Sequence, residues 1–251
     1  MSEATEDAVL GGRLLLRQPR RGHRVGHDAI LLAAATPAKA GEHAVDFGAG
    51  VGAAGLALAA RVPGLAVTLA ESDPALAALA ADNIRRNGFH DRARAVVLDV
   101  TAGARAFAAA ALPPGSAARV LMNPPFNDPT TSRASPDAAR RRAHVSTGLA
   151  PWLRSASRML GAGGTVTLIW RADGLAEVLS ALARGFGAVA LQPVHPRPDA
   201  PAIRVLVRAA KGSRAPLALL PGLVLAGADG RPSEAAEAVL RHGASLPLAT
   251  A

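Results

Sequence analysis

The chain of 251 residues contains no cysteine and no tyrosine. Without cysteine there are no disulfides, no thiolate metal sites and no thiol nucleophile. The seven histidines (His23, His27, His43, His90, His144, His195 and His242) show no paired ligand spacing, so no metal site is expected. Aromatics are scarce, two Trp and five Phe, which makes each one conspicuous. No uncharged apolar stretch approaches the roughly 20 residues that a membrane span requires. The start, Met1-Ser-Glu-Ala-Thr-Glu-Asp7, is acidic with no apolar run behind it, unlike a secretory leader. These absences lead to the expectation of a cytoplasmic protein with neither membrane nor metal partners.

What is present is apolar and basic. Half of the residues are hydrophobic, ample for a core, although Ala-rich runs such as Ala106–Ala111 supply helix propensity more than volume. The net charge is +9, from 28 Lys+Arg against 19 Asp+Glu, and all but Lys39 and Lys211 of the basic residues are Arg. Five arginines, Arg13, Arg17, Arg20, Arg21 and Arg24, lie between Gly11 and His27 with no acid among them. A second cluster comprises Arg133, Arg140, Arg141 and Arg142. The planar guanidinium fork suits phosphate, so Arg17, Arg20, Arg21, Arg24, Arg140, Arg141 and Arg142 are candidate contacts to a nucleic acid. The alternative is a solvated basic face.

From Glu42 onward, short apolar runs alternate with helical stretches. His43–Phe47, Leu65–Ala70, Ala93–Leu98, Arg119–Met122 and Thr165–Trp170 read as buried strands. Between them Ala53–Arg61, Pro74–Asn87, Ala102–Ala111 and Leu149–Leu160 read as helices, the last ended by Gly161–Gly164. A helix over Gly174–Ala183 and two strands, Ala188–Val194 and Ile203–Arg208, follow; the turn between those strands is too short for a crossover, so they should pair antiparallel. The expectation is an α/β, Rossmann-like, doubly wound and mostly parallel seven-stranded sheet with an antiparallel last pair, in a single domain over residues 1–251. Arg13–Gln18 reads as a strand and Asp28–Ala35 as a helix before the sheet. After it, Lys211–Arg231 reads as a loop with short extended pieces and Ser233–His242 as a helix capped by Ser233. The polar segment Asn127–Ser146 reads as a long loop, and such loops are often functional.

Directly after the first sheet strand stands Val45-Asp46-Phe47-Gly48-Ala49-Gly50-Val51-Gly52. Gly48 and Gly50 allow a tight turn and close approach of a ligand, and the following helix offers free amides. Dinucleotide enzymes use a similar glycine pattern, but Asp46 stands where a pyrophosphate would be repelled. The second strand ends at Glu71, suited to accept hydrogen bonds from a ribose diol.

The fourth strand leads into Asn123-Pro124-Pro125-Phe126, at the edge of a doubly wound sheet where ligands bind. The lone pair of an exocyclic base amine is delocalised into its ring, which makes the amine a poor nucleophile. The Asn123 side-chain oxygen and the Pro124 carbonyl can each accept a hydrogen bond from it, favouring a pyramidal nitrogen. Phe126 can stack on an unpaired or flipped base.

Asp46 with Gly48-Ala49-Gly50 resembles the first motif of class I S-adenosylmethionine methyltransferases, and Glu71 matches their ribose-binding acid. That resemblance places Asp99 where the class contacts the cofactor's adenine, with a helix cap or surface acid as the other reading. Asn-Pro-Pro-Phe/Tyr resembles enzymes that methylate adenine or guanine amines, and enzymes that methylate glutamine amides of release factors. The whole chain is similar to the bacterial valine-tRNA adenine N6-methyltransferase family, on the stretches Leu10–Asp28, Asp46–Gly52, Asn123–Phe126 and Arg204–Ser213. The family commonly has Thr where His27 stands and often Tyr where Phe126 stands. The resemblance implies S-adenosylmethionine as cofactor, tRNA as partner, and a segment 1–40 that closes over cofactor and substrate, followed by a Rossmann-like core of 41–210 and an extension of 211–251. It makes Asp28 a candidate cofactor residue, beside a role as helix cap.

Overall fold

The structure, a computed structural model, describes residues 4–20, 24–125 and 148–250. Parallel strands buried on both faces are near-continuous apolar runs, and five such runs pair here: β3 (His43–Phe47), β4 (Ala66–Glu71), β5 (Ala93–Val97), β6 (Ala117–Met122) and β7 (Leu160–Arg171). Beyond β7 the chain forms β8 (Phe186–His195) and β9 (Arg204–Lys211), and β9 inserts antiparallel between β7 and β8. The order β8-β9-β7-β6-β3-β4-β5 is the expected seven-stranded core, and its order of strands reverses between β3 and β6. Two residue pairs, β10 (Ala218–Leu219) and β11 (Leu223–Val224), extend it by running parallel to β8. These are the short extended pieces of the segment after Lys211.

Helices cover both faces. α1 (His27–Ala35), α2 (Ala53–Arg61) and α3 (Pro74–Arg86) pack Leu31, Leu32, Leu56, Leu58 and Ile84 on Ala44, Leu69, Leu121 and Leu206. On the other face, α4 (Ala104–Ala109), α5 (Leu149–Met159) and α6 (Leu175–Leu182) pack Phe107, Leu153, Met159 and Val178 on Phe47, Val120, Met122 and Leu168. Asp73 caps α3 by accepting from the amides of Ala75 and Leu76, and Pro74 occupies its first turn. Ser233 caps α7 (Glu234–Leu240) in the same way, accepting from Ala236. Among the described residues, no helix is long and apolar enough to cross a membrane.

Three local readings differ. Helix Ala102–Ala111 contracts to α4. The glycines Gly161–Gly164 lie inside β7 rather than in a turn, because Leu160 is already extended. A Cβ on Gly164 would stand 3.1 Å from the Ala118 carbonyl, so glycine is what lets β7 run this close to β6. Residues before Arg13 also form a strand: β1 (Ala4–Val9) pairs antiparallel with β2 (Leu14–Pro19) as a separate hairpin. Leu14 and Leu16 are fully buried from this hairpin, which seats it on the helices.

Gly55, in the first turn of α2, is pressed onto β4. A Cβ there would stand 2.3 Å from Leu69 Cδ2 and 3.2 Å from Val67 Cγ1, both in the core. Gly55→Ala should therefore lose stability although it gains roughly 1 kcal/mol of helix propensity. Overpacking of about 1–3 kcal/mol exceeds that gain, and urea unfolding should show a lower midpoint with an unchanged slope.

Candidate active site

The turn after β3 is made by three glycines in the left-handed region, Gly48 (φ +67), Gly50 (φ +57) and Gly52 (φ +92). The amides of Gly48 and Ala49 donate to the Ala70 carbonyl at 2.8 and 3.0 Å, tying the turn to the end of β4. One residue further along β4, Glu71 accepts from the Gly50 amide at 2.8 Å with Oε2. Its Oε1 accepts from the Asp73 amide at 2.9 Å and the Ser72 hydroxyl at 3.2 Å. Asp46, 2 % exposed, points from β3 into the start of α2 and accepts from the Gly55 amide at 2.8 Å. The space over Gly50 is open, whereas a Cβ on Gly48 would stand 2.7 Å from Cη2 of Trp152 on α5.

Asn123 follows the last residue of β6. Met122 is in register with Phe47 on β3 and Leu168 on β7, so Asn123 emerges at the level of Gly48, one strand spacing away. Asn123 is half-buried, Pro124 buried and Pro125 exposed. Phe126 lies outside the described residues, as do Arg21, Arg140, Arg141 and Arg142.

The remaining candidates are held in ways the sequence did not foretell. Asp99 does not cap α4, whose cap is Gly103; it forms a local turn, accepting from the Thr101 amide at 2.8 Å and the Thr101 hydroxyl at 2.7 Å. It remains half-buried, one residue past Leu98, whose amide donates to the Glu71 carbonyl at 2.8 Å. Asp28 does not cap α1 either, since Gly26 occupies that place. Its carboxylate pairs instead with Arg204 Nε at 2.9 Å, at the start of β9. Arg17 pairs with Asp82 of α3 at 3.2 Å and Arg24 with Asp7 of β1 at 2.6 Å. The fold thus brings acids to a stretch that has none of its own. Both arginines keep about 40 % of their side chains exposed, and Arg20 is exposed as well.

Two carboxylates therefore end adjacent parallel strands, beside open space at a glycine turn. Burial pushes the Asp46 carboxyl up to about 7; the nearby Glu71 charge adds to this and the Gly55 amide opposes it. Such a site suits a ligand that carries positive charge and hydroxyl donors, as S-adenosylmethionine does. A cation placed here favours the ionised acid, so binding below pH 7 must release the Asp46 proton. Affinity for S-adenosylmethionine should therefore rise as pH increases through about 7. Asp46→Asn keeps an oxygen for the Gly55 amide but does not titrate, and should flatten that rise in calorimetric titrations across the range. An equal slope in both proteins would assign the dependence to another group.

Residues 23–193 match the methyltransferase small domain family. A tRNA1(Val) (adenine(37)-N6)-methyltransferase of Serratia proteamaculans is 30% identical over 188 residues, covering 73% of this chain and 69% of that protein. The crystal structure of a predicted O-methyltransferase from Agrobacterium tumefaciens is 32% identical, with a TM-score of 0.74, covering 87% of this chain and 98% of that one. An S-adenosylmethionine-dependent O-methyltransferase of Thermotoga maritima shares the fold at 18% identity and a TM-score of 0.54, over 78% of this chain and 69% of that one. The chain belongs to the methyltransferase small domain family and is an S-adenosylmethionine-dependent methyltransferase.

Proposed function

We propose that the chain methylates the exocyclic amine of adenine in RNA, with tRNA as the substrate class, as a cytoplasmic single-domain enzyme. The observation that carries this reading is the Asn123-Pro124-Pro125 turn, which leaves β6 beside Gly48 at the reversal of strand order. Bound here, S-adenosylmethionine supplies an electrophilic methyl group.

In this reading Gly48 makes the tight turn against Trp152, the open space over Gly50 leaves room for the cofactor, and Glu71 exchanges its bond to the Gly50 amide for the ribose hydroxyls. Asp46 supplies negative charge beneath it, Asp99 lies beside its adenine, and Asp28 closes from α1. The Asn123 amide oxygen and the Pro124 carbonyl accept hydrogen bonds from the target amine, and so draw its lone pair out of conjugation. Pro124 and Pro125 fix the direction of that carbonyl by locking the backbone. Phe126, next along the chain, stacks on the base. Positioning supplies much of the rate, and no strong base is needed before attack. The arginines at 17, 20, 21, 24, 140, 141 and 142 contact phosphates.

The Serratia relative, described as acting on adenine in tRNA, supports the choice of base and nucleic acid. The Asn-Pro-Pro-Phe sequence also serves guanine amines in RNA and glutamine amides in release factors, because each presents nitrogen conjugated to an sp² carbon. Incubation with labelled S-adenosylmethionine and unmodified total tRNA, ribosomal RNA or release factor separates these readings. Methyladenine recovered from tRNA is the expected product. Label in guanine, in glutamine, in ribosomal RNA alone or on an oxygen overturns the substrate assignment while leaving the cofactor in place. Asn123→Ala should lower turnover by about 10²-fold or more, with cofactor affinity nearly unchanged by calorimetry. A large loss of cofactor affinity would contradict the role given to Asn123.

A further inference from the structure

Two asparagines, Asn83 on α3 and Asn87 at its C-terminal cap, have no counterpart in the roles described so far. Asn83 is fully buried, an unusual place for a residue of low helix propensity. Asn87 follows one turn later. Each side-chain amide grips the backbone of one residue of β2. The Arg17 amide donates to Asn83 Oδ1 at 2.8 Å, and Asn83 Nδ2 donates to the Arg17 carbonyl at 3.0 Å. The Leu15 amide donates to Asn87 Oδ1 at 2.9 Å, and Asn87 Nδ2 donates to the Leu15 carbonyl at 2.7 Å. The spacing fits because four helical residues rise about 6 Å and two strand residues about 6.7 Å. The two amides thus act as a third strand for the hairpin.

The pair differs in what each does with its second amide hydrogen. Asn87 returns it to its own helix, to the Asn83 carbonyl at 2.8 Å. Asn83 donates it to the Val51 carbonyl at 3.0 Å. Val51 lies between Gly50, whose amide is bound by Glu71, and Gly52, which begins α2. One buried side chain therefore holds the hairpin backbone and the cofactor turn together.

We propose that Asn83 is a positioning residue of the S-adenosylmethionine site, fixing the glycine turn through Val51 and coupling its order to docking of the N-terminal hairpin. Free of this bond, the peptide after Val51 keeps the bond from the Gly52 amide to the Ala49 carbonyl at 2.8 Å, which lies within the turn itself, but loses its tie to α3, with three left-handed glycines around it. The coupling is reciprocal: a cofactor that stabilises the turn must also stabilise the hairpin by the same factor. The inference rests on the cofactor alone and not on the RNA reading.

The test compares Asn83→Ala with Asn87→Ala in the full chain, measuring S-adenosylmethionine and S-adenosylhomocysteine affinity by calorimetry and the melting temperature of each variant. Both lose one grip on the hairpin and should melt lower. Only Asn83→Ala should bind the cofactor weakly, by about tenfold, with Asn87→Ala within about twofold of the parent. Hydrogen exchange supplies a measurement that needs no variant. In the parent chain, saturation with S-adenosylhomocysteine should slow exchange at the Leu15 and Arg17 amides. In Asn83→Ala the Leu15 amide, still held by Asn87, should lose that response. Equal loss of affinity in both variants, or no loss in either, or hairpin amides in the parent indifferent to cofactor, overturns the proposal.

Discussion

Two buried carboxylates at the ends of neighbouring parallel strands set the terms for this site. Asp46 and Glu71 repel one another and are cut off from water, a combination tolerated only when each acid finds donors. The donors are mainly backbone amides, of Gly55 for one and of Gly50 and Asp73 for the other, with the Ser72 hydroxyl beside them. Backbone donors must be brought close, and that requirement propagates. Gly55 must lack a side chain because α2 is drawn down onto Leu69, and Gly48 because Trp152 presses against it. The glycine turn is thus shaped by the acids below it and the indole beside it.

The rest of the site follows from sheet topology. Reversal of strand order between β3 and β6 leaves no crossover helix above that seam, so the turns after both strands face the same space. Asn123 and Gly48 come to one level because Met122 and Phe47 are in register. A one-residue slip would turn Asn123 to the opposite face. The apolar alternation of β6, with Leu121 packed on one helical layer and Val120 and Met122 on the other, guards against that slip.

The central strands and helices were legible because parallel strands are solid apolar runs punctuated by Gly, Pro and Asp. The motif residues Asp46, Glu71 and Asn123 were legible for the same reason, each standing at the carboxyl end of such a run. What escaped was non-local. Ala4-Thr-Glu-Asp-Ala-Val9 is too polar to read as a strand, and its pairing depends on a hairpin gripped by asparagines some 70 residues away. Gly161–Gly164 looked like a helix terminator because glycine usually is one, whereas here its role is close approach of β7 to neighbouring carbonyls. Asp28 and Arg204 meet across 176 residues, and no local signal announces such a pair. Arg17 and Arg24 looked like unpaired charges until the fold supplied Asp82 and Asp7. The one overlooked clue was Asn83 with Asn87, an i, i+4 pair of poor helix formers in an otherwise Ala-rich helix.

The two short strands beside β8 bear on how this sheet ends. An open strand edge is a template on which a second chain can grow. β10 and β11 occupy that edge with only two residues each, and Pro221 between them has no amide hydrogen. Leu217 and Leu219, exposed on this outermost segment, would otherwise form an adhesive stripe. The chain thus finishes this edge of its largest sheet with a border too short and too interrupted to be copied.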